Sequence, residues 1–248
     1  MRRSATPYVS SFSFGPGPIS TALKAIIGAN VVVFLFTTFV PSAQLTLGLV
    51  PIWVVHRLFL WQLVTYMFVH GGLLHILFNM LALWMFGTEL ERLWGTRYFL
   101  KFYFVTGIGA GVLTVALAML PFAFAGQLYV SDIIGASGAI YGLLLAYALY
   151  FPDRPIYMYF LFPVRARTFV IIMGAITLYA SVAESSSGIA NATHLAGLLV
   201  AYVYLKGGRA HPLSEIKYRY LKWKINRVRR KFDVYSGGRA DDWDRRVH

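Results

Sequence analysis

Six apolar stretches, at roughly 19–40, 70–88, 98–120, 133–151, 168–183 and 192–205, constrain this chain more than any other feature. Most approach the length an α-helix needs to cross about 30 Å of hydrocarbon. A backbone inside lipid has to satisfy its own hydrogen bonds, so helices are the form open to these stretches. Composition agrees. Charged residues are 13% of the 248 and apolar residues 58%, whereas soluble domains carry about 25% charge. The expected fold class is all-α: a polytopic membrane protein with a bundle of six transmembrane helices. A soluble enzyme is not expected, and a disordered chain is excluded. The polar segment 4–20 precedes the first stretch and no small-residue cleavage site follows it, so that stretch reads as a retained span and not a signal peptide.

The basic residues alternate between connections. Arg2, Arg3 and Lys24 open the chain, Arg92, Arg97 and Lys101 join the second and third stretches, and Arg154, Arg165 and Arg167 join the fourth and fifth. The intervening loops hold Arg57 alone, and residues 206–248 carry 13 of the 23 Lys and Arg. By the positive-inside rule both termini are cytoplasmic. The organisation expected is a cytoplasmic segment 1–18, a six-helix membrane domain 19–205 and a basic tail 206–248. No internal repeat of the kind found in secondary transporters is evident. The chain has no cysteine, so thiolate chemistry and disulfides are excluded.

Polar side chains at membrane depth are costly and mark functional sites. The second stretch holds His70, His75 and Asn79 in HGGLLHILFN, the fourth Ser137 in GASGAIYG, and the sixth His194 in THLAGLLVA. Counted at 1.5 Å per residue from Asp153, Glu89 and Lys206, Ser137, His75 and His194 lie roughly 24, 21 and 18 Å above the inner boundary. All three therefore fall in the outer half of the core, about 6–12 Å below the external surface.

Three polar groups in one layer suit a hydrolase. Serine is a weak nucleophile until a neighbouring base takes its proton, and His194 is the natural base for Ser137. A developing oxyanion needs donors fixed in advance. His75 and Asn79 are four apart on one helix face, and the Ser137 N–H at a helix start is free to join them. Tyr141, one turn beyond Ser137, is placed to pack on the His194 ring. No acid accompanies the pair, since Asp132 and Glu184 fall in external loops, so a Ser–His dyad is expected. Gly138 and Gly142 on the fourth stretch, and Gly197 and Ala201 on the sixth, are small-residue pairs that let two helices approach closely. Gly135 and Gly138 give the backbone freedom around the serine.

These residues resemble the rhomboid intramembrane serine proteases. GASGAIYG is similar to that family's nucleophile motif, HGGLLHILFN to its two histidines and asparagine on the second helix, and HLAGLLVA to its sixth-helix histidine with a small-residue ladder. GTELERLWG, with Gly87, Glu91 and Gly95, resembles its motif at the cytoplasmic end of the second helix. The resemblance covers residues 19–205. It implies cleavage of membrane proteins in or beside their transmembrane segments, with Ser137 as nucleophile, His194 as general base, His75, Asn79 and the Ser137 N–H as oxyanion hole, and Glu91 as a structural residue. Two departures stand out: Trp61-Gln62 replaces the family's Trp-Arg pair in the first external loop, which questions loop packing, and Ala201 stands where glycine is frequent.

The blander readings are a helix-packing turn for GASG and interhelical hydrogen bonding for His75, Asn79 and His194. His70, near the outer interface, reads as a loop or substrate contact or as a solvated ring. His56, His211 and His248 are assigned no catalytic part. Neither a cofactor nor a metal is expected, because His70 and His75 are five apart with no third ligand evident. The expected partners are transmembrane protein substrates and the bilayer. In the tail, Tyr218, Leu221, Ile225, Val228 and Phe232 form an apolar face flanked by basic residues. This suits an amphipathic helix on anionic lipid, with a topology-fixing charge cluster as the plainer account; nucleic-acid binding is not expected. The segment 183–191 is placed to cap the site. The expected location is a bacterial inner membrane, with the site toward the external, periplasmic side. The competing class is a non-enzymatic scaffold or transporter.

Overall fold

The structure, a computed structural model, describes residues 16–121, 125–158, 162–183 and 188–207. The tail beyond 207 with its expected amphipathic helix, His211 and His248, the first 15 residues, and residues 184–187 of the expected cap, Glu184 among them, lie outside these. The described residues as far as Leu205 belong to one compact unit.

Ten helices occur among the described residues. They are α1 (Thr21–Phe39), α2 (Ser42–Leu47), α3 (Pro51–Arg57), α4 (Gln62–Thr65), α5 (Leu73–Trp94), α6 (Thr96–Ala118), α7 (Ala125–Val130), α8 (Ser137–Tyr150), α9 (Ala166–Ala183) and α10 (Gly188–Gly207). A 3-10 turn at Tyr66–Phe68 precedes α5, and a two-stranded hairpin, β1 (Pro155–Met158) with β2 (Phe162–Arg165), joins α8 to α9. The chain is an all-α polytopic membrane protein, with this one short hairpin among its described residues. Helices α1, α5 and α6 are each long and apolar enough to cross a membrane, and α8 and α9 are shorter apolar helices. Their outward faces are those of a protein solvated by lipid: Val32, Phe39, Leu73, Phe78 and Ile171 are all largely exposed.

The ends of two stretches differ from expectation. Residues 70–72 precede α5, and residues 133–136 lie outside any helix, Ile133 in a β-bridge and Gly135–Ala136 in a bend and turn, so α8 starts at Ser137 itself. Helix α8 packs against α5, α6 and α9. The core around it is built on Tyr66, Leu83, Phe99, Phe102, Tyr103 and Leu143, each essentially fully buried.

Local chemistry sets the boundaries. Ser20 caps α1 by accepting the Leu23 N–H at 3.1 Å, while its hydroxyl donates to Glu91 at 2.5 Å. Thr96, at the start of α6, donates to the other Glu91 oxygen at 2.6 Å. The buried Glu91 thus ties together the start of α1, the end of α5 and the start of α6. Gly95, at φ +78°, makes the tight turn between α5 and α6. Charged side chains gather at this same end: Arg154 pairs with Glu89 at 2.6 Å, and Arg167 and Arg165 reach Asp153 at 3.7 and 4.0 Å.

The segment 41–69 between α1 and α5 is held by Gln62, which is fully buried. Its Oε1 accepts the Val50 N–H at 3.0 Å, and its Nε2 donates to the Leu45 carbonyl at 3.0 Å and the Thr46 carbonyl at 3.3 Å. Trp61 donates to Thr46 O at 3.0 Å, and Thr65 to Leu47 O at 2.6 Å. Gln62 therefore packs the loop without an arginine. Gln62→Ala strands buried backbone groups at a cost of about 1–3 kcal/mol each. The expected outcome is a lower melting temperature in detergent and faster proteolysis within residues 41–69; unchanged melting would show that water replaces the amide.

Candidate active site

The site begins with a break in helical backbone. Ile133 exchanges both backbone hydrogen bonds with Leu49, at 2.8 and 2.9 Å, and Gly135 donates its N–H to Tyr66 O at 2.9 Å. These bonds satisfy the segment where helical bonds are missing, and Ile133, Gly135 and Ala136 are buried in protein. Asp132 joins the same anchor by accepting from Gln44 at 2.9 Å; burial pushes its carboxyl above the ordinary value, and the Gln44 bond works against that. Gly135 sits at φ +115°, which favours glycine, and from there the chain turns into α8 with Ser137 as its first residue. The first amides of α8 have no partner within the helix, the Ser137 N–H among them.

Helix α10 meets α8 at this turn. Ser137 Oγ and His194 Nε2 are 2.7 Å apart. The backbones touch three residues further on: a Cβ on Gly197 would run into the Gly138 carbonyl oxygen. The expected pairing of small residues thus holds between Gly138 and Gly197. It does not extend to Gly142, whose missing side chain makes room instead for Thr106 of α6, 3.0 Å from an added Cβ. Ala201 is fully buried.

Tyr141 stacks on the His194 ring with centroids 4.3 Å apart and planes inclined by 6°. Its hydroxyl is 3.1 Å from Thr177 Oγ1 on α9, so the stacking ring is itself held at its far end. His194 Nδ1 meets no hydrogen-bond partner among the described residues, so orientation rests on the ring stack and on Ser137.

His75 lies on the side of α5 that faces the serine turn, and Asn79 follows one helical turn along the same helix. A Cβ on Gly135 would sit 2.8 Å from His75 Nε2 and 3.6 Å from Ser137 Oγ, so this glycine keeps open the space between the two side chains. His75 Nδ1 accepts the Gly71 N–H at 3.4 Å, a long contact that favours the tautomer with its proton on Nε2, toward that space. Asn79 donates one amide hydrogen to His75 O at 2.8 Å and keeps a second. His70 is not solvated: the residue is 2% exposed, its Nδ1 is 3.2 Å from Phe68 O, and its ring packs edge-on to His75 at 5.0 Å.

Several supporting groups escape a reading of the sequence. Tyr66 donates to Gly107 O at 2.7 Å, and its hydroxyl lies 3.2 Å from where a Gly138 Cβ would be. Thr114 of α6 bonds Thr193, the neighbour of His194, at 3.0 Å. The threonines leave little signal, because a hydroxyl in a helix bonds its own chain's preceding carbonyl and costs little in an apolar segment. Thr114 does so to Ala110 O and Thr177 to Met173 O, each at 2.7 Å.

A family model described as the Rhomboid domain matches residues 57–209. The chain is similar to Rhomboid protease GluP of Bacillus subtilis, at 38% identity over 84 residues, 34% of this chain and 14% of that protein. It is similar to Rhomboid protein 1, mitochondrial, of Saccharomyces cerevisiae, at 32% over 144 residues, 55% and 38% of the two chains. It is also similar to RHOMBOID-like protein 12, mitochondrial, of Arabidopsis thaliana, at 31% over 150 residues, 57% and 44%. In each case the chain spans less than half of the relative's own length.

Proposed function

The chain belongs to the rhomboid family, and from that premise we propose that it is an intramembrane serine endopeptidase, cleaving membrane proteins in or beside their transmembrane segments. The observation that carries this reading is the 2.7 Å approach of Ser137 Oγ to His194 Nε2 across two helices that touch at Gly138 and Gly197.

In the proposed reaction Ser137 Oγ attacks the scissile carbonyl carbon while its proton passes to His194 Nε2. Negative charge grows on the former carbonyl oxygen, within reach of the Ser137 N–H, His75 Nε2–H and the free Asn79 amide hydrogen. Collapse expels the amine, which takes the proton from His194. Water then attacks the acyl-enzyme and gives its proton to the same nitrogen, and the serine leaves with it. His194 has to be neutral at rest for the first transfer. A hydrogen-bonded helix shields its carbonyls, so substrates with small or helix-destabilising residues near the cut are favoured.

The remaining assignments are part of the same proposal. Helices α1, α5, α6, α8, α9 and α10 are the six spans, both termini are cytoplasmic, and the chain is organised as segment 1–18, membrane domain 19–205 and tail 206–248. The location is a bacterial inner membrane with the site open to the periplasm, and the tail lies on anionic lipid. Two features support the orientation. Glu89, Arg92, Arg154, Arg165 and Arg167 lie toward one end of the bundle. Ser137 begins a helix of 14 residues, which puts it about 20 Å from that helix's far end.

The test is cleavage of a reporter transmembrane segment by purified protein in liposomes, wild type beside Ser137→Ala. Cleavage by the wild type alone supports the reading. Equal cleavage by both defeats the assignment of Ser137. No cleavage by either, across a panel of segments, favours a scaffold. Removing one oxyanion donor by Asn79→Ala or His75→Ala is expected to lower kcat by about 10²-fold, with melting little changed; an effect confined to KM would place the residue in substrate binding.

A further inference from the structure

The hairpin between α8 and α9 has a composition that water does not suit. From Pro155 to Val164 the sequence PIYMYFLFPV holds no charged residue, while Arg154 and Arg165 bracket it and Arg167 follows. The register pairs Ile156 with Val164, Tyr157 with Pro163, and Met158 with Phe162. Strand side chains alternate between faces, so Ile156, Val164 and Phe162 share one face and Tyr157 and Pro163 the other. Ile156 is buried and belongs to the core of the bundle, which fixes the first face as the one turned to the helices. On that face Phe162 is 64% exposed, and on the other Tyr157 is 56% exposed. The hairpin therefore overhangs the bundle, and its apolar side runs on past the last helix that covers it.

The backbone sets the opposite limit. The sheet has only these two strands, so among the described residues the outer edge of each has no strand beside it. Unpaired N–H and C=O groups are not tolerated in hydrocarbon, while exposed apolar edges in water invite aggregation. The place that satisfies both is the boundary between headgroups and acyl chains, where aromatic side chains also concentrate. The hairpin stands at the charged end of the bundle, beside Glu89 and Asp153, which is the level of such a boundary. Arg154, Arg165 and Arg167 keep about half or more of their side-chain surface exposed there, and their charge complements anionic headgroups.

We propose that the β1–β2 hairpin is a lipid-binding element, seating Phe162 and Tyr157 in the headgroup–acyl boundary of the leaflet at the Arg154 end, with Arg165 and Arg167 on anionic headgroups. The occupant is the bilayer itself. This rests on the chain being a membrane protein and not on its being a protease.

The absence of cysteine makes the test direct. Phe162→Cys carries one environment-sensitive fluorophore, and Tyr157→Cys is the second position should the first fail to fold. Each protein is reconstituted in vesicles of phosphatidylcholine with phosphatidylglycerol, opened so that iodide reaches both faces. The expected result is blue-shifted emission shielded from iodide. Quenching should be strongest with a nitroxide at the top of the acyl chain and weak with one at the bilayer centre. Arg165→Gln with Arg167→Gln raises iodide quenching by about twofold or more, and lipid without phosphatidylglycerol does the same. Water-like emission with full iodide access at both positions overturns the proposal. So does shielding that appears only at high protein density, which would assign the surface to a second copy, and so does shielding indifferent to every nitroxide lipid.

Discussion

On the proposed mechanism, Ser137→Ala is expected to lower peptide-bond cleavage by about 10⁴-fold or more, His194→Ala to do the same, and the double variant to be no worse than either. This pattern separates a dyad from two independent contributors. With Oγ and Nε2 at 2.7 Å the two groups are placed to share one proton transfer. Once either is gone, the other has nothing to act on, and what remains is binding and the oxyanion donors. Two independent residues would instead show losses that multiply. Both variants retain the helix contact at Gly138 and Gly197, so their melting should stay near that of the wild type. The measurement is single-turnover cleavage in liposomes with melting in parallel. A large fall in melting would mean that the variants report folding; multiplicative losses would mean that the dyad is misassigned.

Much of this site is legible in the amino-acid sequence because lipid makes polarity conspicuous. Ser137, His194, His75 and Asn79 stand out in apolar runs, and the depth count places Ser137, His75 and His194 in one layer. What hydropathy does not carry is backbone conformation. The apolar stretch 133–151 takes in Ile133, Ile134, Gly135 and Ala136 although the free Ser137 N–H already reads as a helix start, since apolar residues buried in protein and apolar residues in a helix look alike to a window average. In the fold Ile133 bridges to Leu49, Gly135 takes a positive φ with its N–H on Tyr66 O, and Ala136 turns into α8, so distant segments of the chain anchor this break. The same limit hides α2, α3 and α4, whose few residues give too little periodicity, and the hairpin, whose apolar run passes for a loop. Gln62 is instructive in the other direction. By residue type it departs from the family's Trp-Arg pair, yet an amide has the one acceptor and two donors that Val50, Leu45 and Thr46 require.

Close backbone approach is the second place where a single atom has a large effect. Gly197→Ala adds one methyl group, which would meet the Gly138 carbonyl oxygen and come 2.9 Å from its carbon. Neither atom belongs to a flexible side chain, so the helices have to separate. Overpacking of this kind costs about 1–3 kcal/mol, occasionally more, and Gly197→Val costs more than Gly197→Ala. The catalytic effect exceeds the stability effect. Ser137 and Gly138 are adjacent, and His194 and Gly197 are one helical turn apart, so a shift of α8 from α10 is delivered to the Oγ–Nε2 contact almost undiminished. A misplacement of about 1 Å at a reacting centre can cost 10²-fold in rate. Gly197→Ala is therefore expected to melt a few degrees lower and to lose about 10²-fold or more in kcat. Gly28→Ala in α1, where an added Cβ meets nothing within 4 Å, leaves both unchanged or slightly raises stability. The reading requires that lost activity track geometry at Ser137, so reactivity of that serine toward a small phosphonylating reagent should fall in Gly197→Ala and persist in Gly28→Ala. Full reactivity and rate in Gly197→Ala would mean that α10 shifts along α8 without parting the dyad, and the helix contact would then have no part in setting the site.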